Sequence, residues 1–320
     1  MTTPTDPGWL RPLGDTGITV SALTLGGSPL GSMPWLYGAE VPERRAIDLV
    51  RRVLDSPVRT IDTSNGYSDG ESERRIGAAL AEAGGKPDDV VVITKVDPKG
   101  GDYSGERVRQ SVRESKERLG LDTLPLVHLH DPENFAFEEM TAPGGAVDAL
   151  VELRERGEVG RIGLAGGPIP EMRRYFALGV FDAVLVHNRW TLVDRSAGPL
   201  IAEAQAAGVP VINAAVHGSG ILADPVNVTR YAYAPANEGV LAAVAAMHAA
   251  CVRHGVDLAA AALQFSLRDP GIATTVVGMS RPERLDETLV AASARLPEDL
   301  WAELEALVPE PRWWLEPPTD

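Results

Sequence analysis

The feature that most constrains this sequence is the regular alternation of short β-type runs with helical stretches. Eight runs rich in aliphatic and β-branched residues recur, and each is followed by a segment with the periodicity of an amphipathic helix. They occupy residues 23–25, 60–62, 90–95, 126–130, 162–165, 183–187, 209–214 and 275–278. Strict strand-then-helix alternation repeated eight times predicts a parallel (β/α)8 barrel, the TIM-barrel fold.

Segments outside this alternation add elements to the barrel. Residues 11–13 and 17–20 flank Gly14-Asp15-Thr16, a pattern typical of a β-hairpin that we expect at the barrel floor. Between the seventh and eighth strands, an irregular segment over residues 223–237 is long enough to cover a site. Further helical stretches occupy residues 239–254, 258–267 and 297–308. We therefore predict one domain over residues 1–320, with an N-terminal hairpin, two extra helices, and tails at residues 1–10 and 309–320.

Charge and composition restrict the partners of such a barrel. Asp and Glu number 45 against 30 Lys and Arg, so the net charge is −15 and the surface repels polyanions. Nucleic acid and anionic membranes are therefore poor partners, and the N-terminal stretch has no signal-peptide pattern. Nowhere does an apolar run approach the roughly 18 residues of a membrane helix. We expect a cytoplasmic protein, a monomer or small homo-oligomer, whose partner is a small molecule.

Cysteine usage restricts the chemistry. Cys251 is the only cysteine, which excludes an internal disulfide and a cysteine-based metal cluster. It falls in a helical apolar pattern and is expected to be a buried, unreactive thiol. We predict no metal site, so any redox chemistry has to come from a bound cofactor.

Four polar residues stand at or just after the ends of consecutive predicted strands. Asp62 ends the second strand and Tyr67 follows it, Lys95 ends the third, and His130 ends the fourth. In a (β/α)8 barrel these ends form the catalytic face, and consecutive strands are neighbours. Singly, each residue has a structural interpretation, such as an Asp62–Lys95 ion pair or a core histidine. Together and at this spacing they favour a catalytic site.

The chemistry of these side chains points to carbonyl–alcohol redox. A tyrosine has an ordinary pKa near ~10, and a neighbouring lysine cation would favour the phenolate and lower that value. Asp62 would hold Lys95 charged and oriented, and His130 would position a substrate oxygen beside Tyr67. Tyr67 would then exchange the hydroxyl proton while a nicotinamide exchanges the hydride.

The motifs around these residues resemble the aldo-keto reductase family over roughly residues 11–308. The matching stretches are Asp62-Thr63-Ser64-Asn65-Gly66-Tyr67, Glu71-Ser72-Glu73, Ile76-Gly77, Thr94-Lys95, Leu119-Gly120-Leu121-Asp122, His130-Asp131-Pro132 and Gly160-Arg161-Ile162-Gly163. This resemblance implies a catalytic tetrad of Asp62, Tyr67, Lys95 and His130. It also implies a barrel that binds NADP or NAD without a Rossmann fold.

The same resemblance implies a set of cofactor contacts. Asn188 stands where the family commonly has the Gln that holds the nicotinamide amide, while Ala165-Gly166 replaces a frequent Ser-Asn. The loop after strand seven and the start of the last barrel helix supply the other contacts, which are Ser219, Gly220, Leu222, Gly278, Ser280, Arg281, Arg284 and Glu287. Because Gly278 replaces a lysine of many NADP-preferring members, the choice between NAD and NADP stays open.

Motifs after strands four and seven are similar to those of the D-threo-aldose 1-dehydrogenase branch, which includes galactose and L-fucose dehydrogenases. That branch implies oxidation of a sugar at its anomeric carbon to a lactone. Residues expected to line the substrate pocket are Trp35, Tyr37, Asp131, Arg189 and Trp190. Two alternatives remain open: a general NADPH-dependent aldehyde or ketone reductase, and a nicotinamide-binding regulatory subunit like the reductase-like β subunits of potassium channels.

Overall fold

The structure is a computed structural model that describes residues 3–318, and its centre is a closed barrel of parallel strands. In chain order the strands are β1 (Leu10–Pro12), β2 (Thr19–Ser21), β3 (Leu23–Gly26), β4 (Thr60–Asp62), β5 (Val91–Val96), β6 (Leu124–His130), β7 (Val159–Gly166), β8 (Ala183–His187), β9 (Val211–Ala214), β10 (Arg230–Tyr231), β11 (Ala234–Pro235) and β12 (Ile272–Gly278). Strands β3 to β9 pair in sequence order, and β12 closes the ring between β9 and β3. The predicted (β/α)8 barrel is confirmed.

Helices surround this barrel and supply the return connections. In chain order they are α1 (Pro34–Tyr37), α2 (Glu43–Leu54), α3 (Glu71–Glu82), α4 (Gly105–Leu119), α5 (Phe137–Met140), α6 (Ala146–Glu155), α7 (Ile169–Phe176), α8 (Gly198–Ala206), α9 (Glu238–Arg253), α10 (Leu258–Leu267), α11 (Pro282–Ser293) and α12 (Glu298–Ala306). The two predicted extra helices are α9 and α12, which share a hydrophobic cluster. The short helices α1 and α5 lie in the loops after β3 and β6 and were not predicted from the sequence.

The predicted N-terminal hairpin forms from β1 and β2, which pair antiparallel. Leu13 and Val20 are fully buried and share a hydrophobic cluster with Ile93 of β5 and Leu126 of β6. Since side chains alternate along a strand, these barrel residues lie on the inward face and are covered by the hairpin from one end. The barrel interior is therefore closed there, and the residues that the sequence predicts as catalytic lie at the other end.

Helix α2 illustrates how the sequence pattern fixes a surface helix. Its apolar residues recur at helical spacing, and Ala46, Ile47, Val50 and Val53 are all buried. The helix begins at Glu43, and Pro42 directly precedes it. Pro42 has the extended conformation of a residue that precedes a helix, with φ −57° and ψ 141°.

The described parts of both predicted tails, residues 3–10 and 309–318, are anchored to the barrel, and the remaining tail residues lie outside the described part of the chain. Trp9 is buried, and its indole Nε1 donates a hydrogen bond of 2.8 Å to the carbonyl oxygen of Pro57. At the other end, Glu316 pairs with Arg189 at 2.8 Å and the Leu315 amide donates to Asp194 Oδ2 at 2.7 Å. Aromatic burial and paired charges, which the short terminal sequences do not reveal, hold both segments.

Within residues 3–318, no single helix is long and apolar enough to cross a membrane. Only α9 and α10 taken together, which meet at 100°, reach that length and composition. No group of three or more His, Cys, Asp or Glu side chains in this range is arranged to hold a metal ion. Cys251 in α9 is buried, and burial raises the pKa of its thiol to about 11.

Helix α3 lies so close to the end of α4 that Gly77 has no room for a side chain. A Cβ atom there would collide with the carbonyl oxygen of Arg118. Replacing Gly77 with Ala should therefore lower the free energy of unfolding by about 1–3 kcal/mol, because the two helices have to separate. Urea unfolding measures this, with Gly198→Ala as the control, since a Cβ at that helical glycine meets only Trp190 at 3.5 Å. Equal stability of the two variants would contradict the close approach.

Candidate active site

The carboxyl ends of the barrel strands open into a cavity of about 900 Å³. Asp62, Tyr67, Lys95 and His130 all line it, at the ends of β4, β5 and β6 and in the loop after β4. The cavity continues to the first turns of α11, where Arg284 lies on its wall. The four residues that the sequence grouped as catalytic therefore share one cavity.

Lys95 and Asp62 form a buried ion pair at the base of this cavity. Lys95 Nζ lies 2.6 Å from Asp62 Oδ1 and donates a second hydrogen bond of 2.7 Å to the carbonyl oxygen of Thr63. Its third contact is the hydroxyl oxygen of Tyr67, at 3.3 Å. Because the ammonium donates to that oxygen, the phenolic proton is left to point elsewhere.

Tyr67 is the side chain best placed to exchange a proton with a ligand in the cavity. Burial, and after it the negative charges of Asp62 and Asp131, raise its pKa well above the ordinary value. The expectation that Lys95 lowers this pKa is therefore reversed, because the carboxylates and the burial outweigh one ammonium group. At neutral pH Tyr67 carries its proton.

His130 contacts a carboxylate that sequence reasoning did not single out. Asp97 Oδ1 lies 2.6 Å from His130 Nδ1, and the ring of Tyr67 stands edge-on to the imidazole at a centroid distance of 5.6 Å. Asp97 comes two residues after Lys95, so strand alternation places both side chains on the inward face. That spacing is the signal that could have identified Asp97.

Asp131 and His187 form the wall beside His130. Asp131 lies 3.8 Å from His130 Nε2 through Oδ2 and 3.9 Å from His187 Nε2 through Oδ1. Burial lowers the pKa of His187 to about 4, so its ring is neutral at pH 7. The amide Nδ2 of Asn188 can only donate, so it donates to His187 Nδ1 at 3.1 Å and leaves the ring proton on Nε2. His187, at the end of β8, was not predicted as a site residue.

Trp190 and Arg189, predicted to line the substrate pocket, lie outside the cavity wall. The indole Nε1 of Trp190 donates to Asp269 Oδ2 at 2.6 Å, and its ring packs against the main hydrophobic core. Arg189 is held by Glu316 of the C-terminal segment. The sequence indicates that these residues follow a strand end, but the direction of each side chain is set by partners distant along the chain.

In the loop after β3, a side chain predicted to line the substrate pocket is likewise directed elsewhere. Trp35 is 72% exposed and does not line the cavity, whereas its neighbours Met33 and Leu36 do. The predicted Tyr37 closes the short helix α1, and its side chain lies outside the part of the chain that the structure describes. Apolar residues of this loop, rather than its indole, thus form one side of the cavity.

The predicted cofactor contacts divide into two groups. On the cavity wall are Ser219, Gly220, Gly278, Ser280, Arg284 and Glu287. Leu222 is instead fully buried in the hydrophobic cluster of α9, and Asn188 is fully buried behind His187. Arg281 does not line the cavity, and it pairs at 2.9 Å with Glu287, whose carboxylate also binds Arg284 at 3.1 Å.

Comparison with known proteins identifies the family. The model of the aldo/keto reductase family matches residues 22–309. The chain belongs to this family. It is similar to D-threo-aldose 1-dehydrogenase of a Pseudomonas species, 32% identical over 327 residues with 92% of this chain and 97% of that protein covered. Pyridoxal 4-dehydrogenase of Microbacterium luteolum is 31% identical over 337 residues, covering 92% of this chain and 96% of the relative.

A solved aldo-keto reductase of Bacillus halodurans, in its holo form, has the same fold. It superposes with a TM-score of 0.77 at 21% identity and covers 93% of this chain and 96% of its own. The family resemblance indicated by the sequence motifs is confirmed. This aldo-keto reductase is accordingly a nicotinamide-dependent oxidoreductase.

The far end of the cavity has the chemistry that a dinucleotide phosphate requires. Ser280 and Arg284 lie on the wall beside the amino end of α11, where helix N–H groups carry partial positive charge. Asp257, before α10, also lines this end. The reductase thus offers a hydroxyl, a guanidinium and a helix terminus to a phosphate, and the tetrad lies at the other end of the same cavity.

Proposed function

We propose that this reductase oxidises an aldose, or a related hydroxyl compound in its cyclic hemiacetal form, to the lactone with NAD or NADP. The observation that carries the proposal is the polar wall beside His130. The side chain of Asp131 is 41% exposed on the cavity wall, and its Oδ1 has no hydrogen-bond partner among the described residues. His187 Nε2, which carries the ring proton, lies 3.9 Å from it.

A hydroxyl group is the substrate feature that satisfies this wall. It can donate to Asp131 and accept from His187 at the same time. Asp131 and His187 both line the cavity, so a polyhydroxy ligand can form hydrogen bonds there that an alkyl aldehyde cannot.

The tetrad geometry supports a division of roles among the chain's own residues. When bound, the nicotinamide coenzyme supplies the hydride acceptor or donor. Tyr67 exchanges the proton of the substrate hydroxyl at its phenolic oxygen, and Lys95 donates to that oxygen and so stabilises its anionic state. Asp62 balances the charge of Lys95, and His130 orients the substrate oxygen through Nε2.

One observation favours a second candidate function, a general aldehyde or ketone reductase. Tyr67 carries its proton at neutral pH, which is the state needed to protonate a carbonyl oxygen during reduction. The same four residues serve both directions. The two candidate functions differ in the substrate that binds beside Asp131.

An assay with one purified sample tests the proposal. Galactose, fucose, arabinose and pyridoxal are offered with NAD and with NADP, and simple alkyl aldehydes are offered with the reduced coenzymes. We expect turnover of at least one sugar, with lactone as the product. Turnover of aldehydes alone would replace the proposal by the reductase function. Coenzyme binding without any turnover would favour a regulatory, nicotinamide-sensing role.

Replacing Asp131 with Asn tests the polar wall directly. We expect kcat/KM for the sugar to fall by about 10- to 100-fold, because a hydrogen bond to a charged group contributes about 1.5–3 kcal/mol. Activity toward an alkyl aldehyde should change much less, since that substrate has no hydroxyl for the wall. The control is Asp69→Asn, a carboxylate that is 85% exposed in the same strand-end region. Equal losses for sugar and aldehyde would indicate general damage to the site and contradict the role of Asp131.

A further inference from the structure

The carboxylate of Asp97, buried just beyond the end of β5, is a component of the site to which no role has been given so far. We propose that Asp97 is a positioning residue that fixes the imidazole of His130 with Nε2 toward the substrate and keeps both ring nitrogens protonated. This inference rests on the proposed function, because it concerns the group that orients the substrate oxygen. It assigns a role to a residue outside the tetrad.

Both oxygens of Asp97 are held in place. Oδ1 contacts His130 Nδ1 at 2.6 Å, while Oδ2 accepts the amide of Gly66 at 2.7 Å and the hydroxyl of Ser64. A Cβ atom at position 66 would lie 2.8 Å from the carboxyl carbon of Asp97, so a glycine is needed for this approach. The turn that carries Tyr67 therefore also orients the carboxylate, and the carboxylate orients His130.

The hydrogen-bond pattern determines which ring atoms carry protons. Ser64 Oγ lies 3.1 Å from His130 Nδ1, but its one proton is donated to Asp97, so it can only accept from the ring. An ionised Asp97 also only accepts. Nδ1 must therefore carry a proton, and Nε2 is the ring nitrogen that remains free to face the cavity.

The charges around the imidazole favour its cationic form. Burial lowers the pKa of His130, but the negative charges of Asp97 and Asp131 outweigh burial and raise it. Conversely, burial raises the pKa of Asp97, whereas His130 and the bonds from Ser64 and Gly66 outweigh it and lower that pKa. The titratable groups that face His130 are Asp62, Tyr67, Lys95, Asp97, Tyr103, His128, Asp131, Glu133 and His187.

A charged Nε2–H is a stronger donor than a neutral one. It would stabilise negative charge on the substrate oxygen while the hydroxyl proton is transferred to the phenolate form of Tyr67. His130 keeps both of its protons throughout, so no additional proton acceptor is required. The role of Asp97 is thus to maintain the charge and direction of the donor, without touching the substrate.

The decisive measurement is the titration of the His130 ring by nitrogen NMR, with signals assigned from a His130→Gln sample. In the unmodified protein we expect both ring nitrogens to be protonated at neutral pH and the titration to lie above the ordinary range. Asp97→Asn keeps the size and an accepting oxygen but removes the charge, so the titration should move to lower pH. Asp97→Glu should restore it in part, and Asp69→Asn should leave it unchanged.

Kinetics provide a second readout. For Asp97→Asn we expect kcat/KM to fall by about 10- to 100-fold and its dependence on pH to shift in the same direction as the ring titration. A neutral His130 in the unmodified protein at pH 7, or an unshifted titration in Asp97→Asn, would overturn the inference. Lack of turnover in the unmodified protein would overturn the proposed function instead, and the NMR titration would still decide the role of Asp97.

Discussion

Replacing Tyr67 with Phe should lower turnover by at least about 10²-fold, because the ring stays in place while the group that exchanges the proton is lost. Lys95 would lose only its weakest contact, at 3.3 Å, and would keep Asp62 and Thr63. The fold and the coenzyme affinity should therefore survive. Steady-state assays and a fluorescence titration with each coenzyme measure the two properties separately.

The pH dependence of turnover provides a second test of the role of Tyr67. Burial and the carboxylates of Asp62 and Asp131 raise the pKa of Tyr67, so the phenolate that accepts a proton in the oxidative direction is scarce at neutral pH. Oxidation should accelerate as the pH rises, and this acceleration should vanish in Tyr67→Phe. The control is Tyr175→Phe, a tyrosine that does not line the cavity and whose hydroxyl donates to the backbone carbonyl of Pro132 at 3.3 Å. Near-normal turnover in Tyr67→Phe would contradict its assignment.

The sequence predicted both the barrel and the proximity of Asp62, Tyr67, Lys95 and His130, and it did so for one reason. Strand periodicity shows which side chains face inward, and closure of the barrel brings the ends of β4, β5 and β6 together. Asp62, Lys95 and His130 each sit at such an end. A pattern that repeats locally was therefore sufficient to place them in one cavity.

Residues in the loops could not be placed in this way. Arg189 and Trp190 follow β8 directly, yet their side chains are directed by Glu316 and Asp269, which lie far away in sequence. The predicted direction of the Tyr67 pKa shift was wrong for a related reason. Its direction depends on a sum over burial and several carboxylates, and the sequence draws attention only to the nearest cation, Lys95.

A second large effect is expected on stability when Lys95 is replaced with Met. The substitution leaves the buried carboxylate of Asp62 without its partner at 2.6 Å, and breaking a buried pair in this way costs about 3–5 kcal/mol. Urea unfolding measures the loss. The control is the pair Arg52–Asp286, which has a similar distance of 2.8 Å but is 54% and 55% exposed. Removing Arg52 should cost less than about 1 kcal/mol.

Two further measurements distinguish an unpaired charge from lost packing in Lys95→Met. Adding Asp62→Asn to Lys95→Met removes the unpaired carboxylate charge and should recover much of the lost stability. A double-mutant cycle measures this recovery. Burial already raises the pKa of Asp62, against the opposing effect of Lys95, and without Lys95 that rise should be greater. A carboxyl whose pKa is higher in the folded protein than in the unfolded chain favours folding as the pH falls. The stability gap between Lys95→Met and the unmodified protein should therefore narrow in acid, whereas a gap caused by lost packing would not depend on pH.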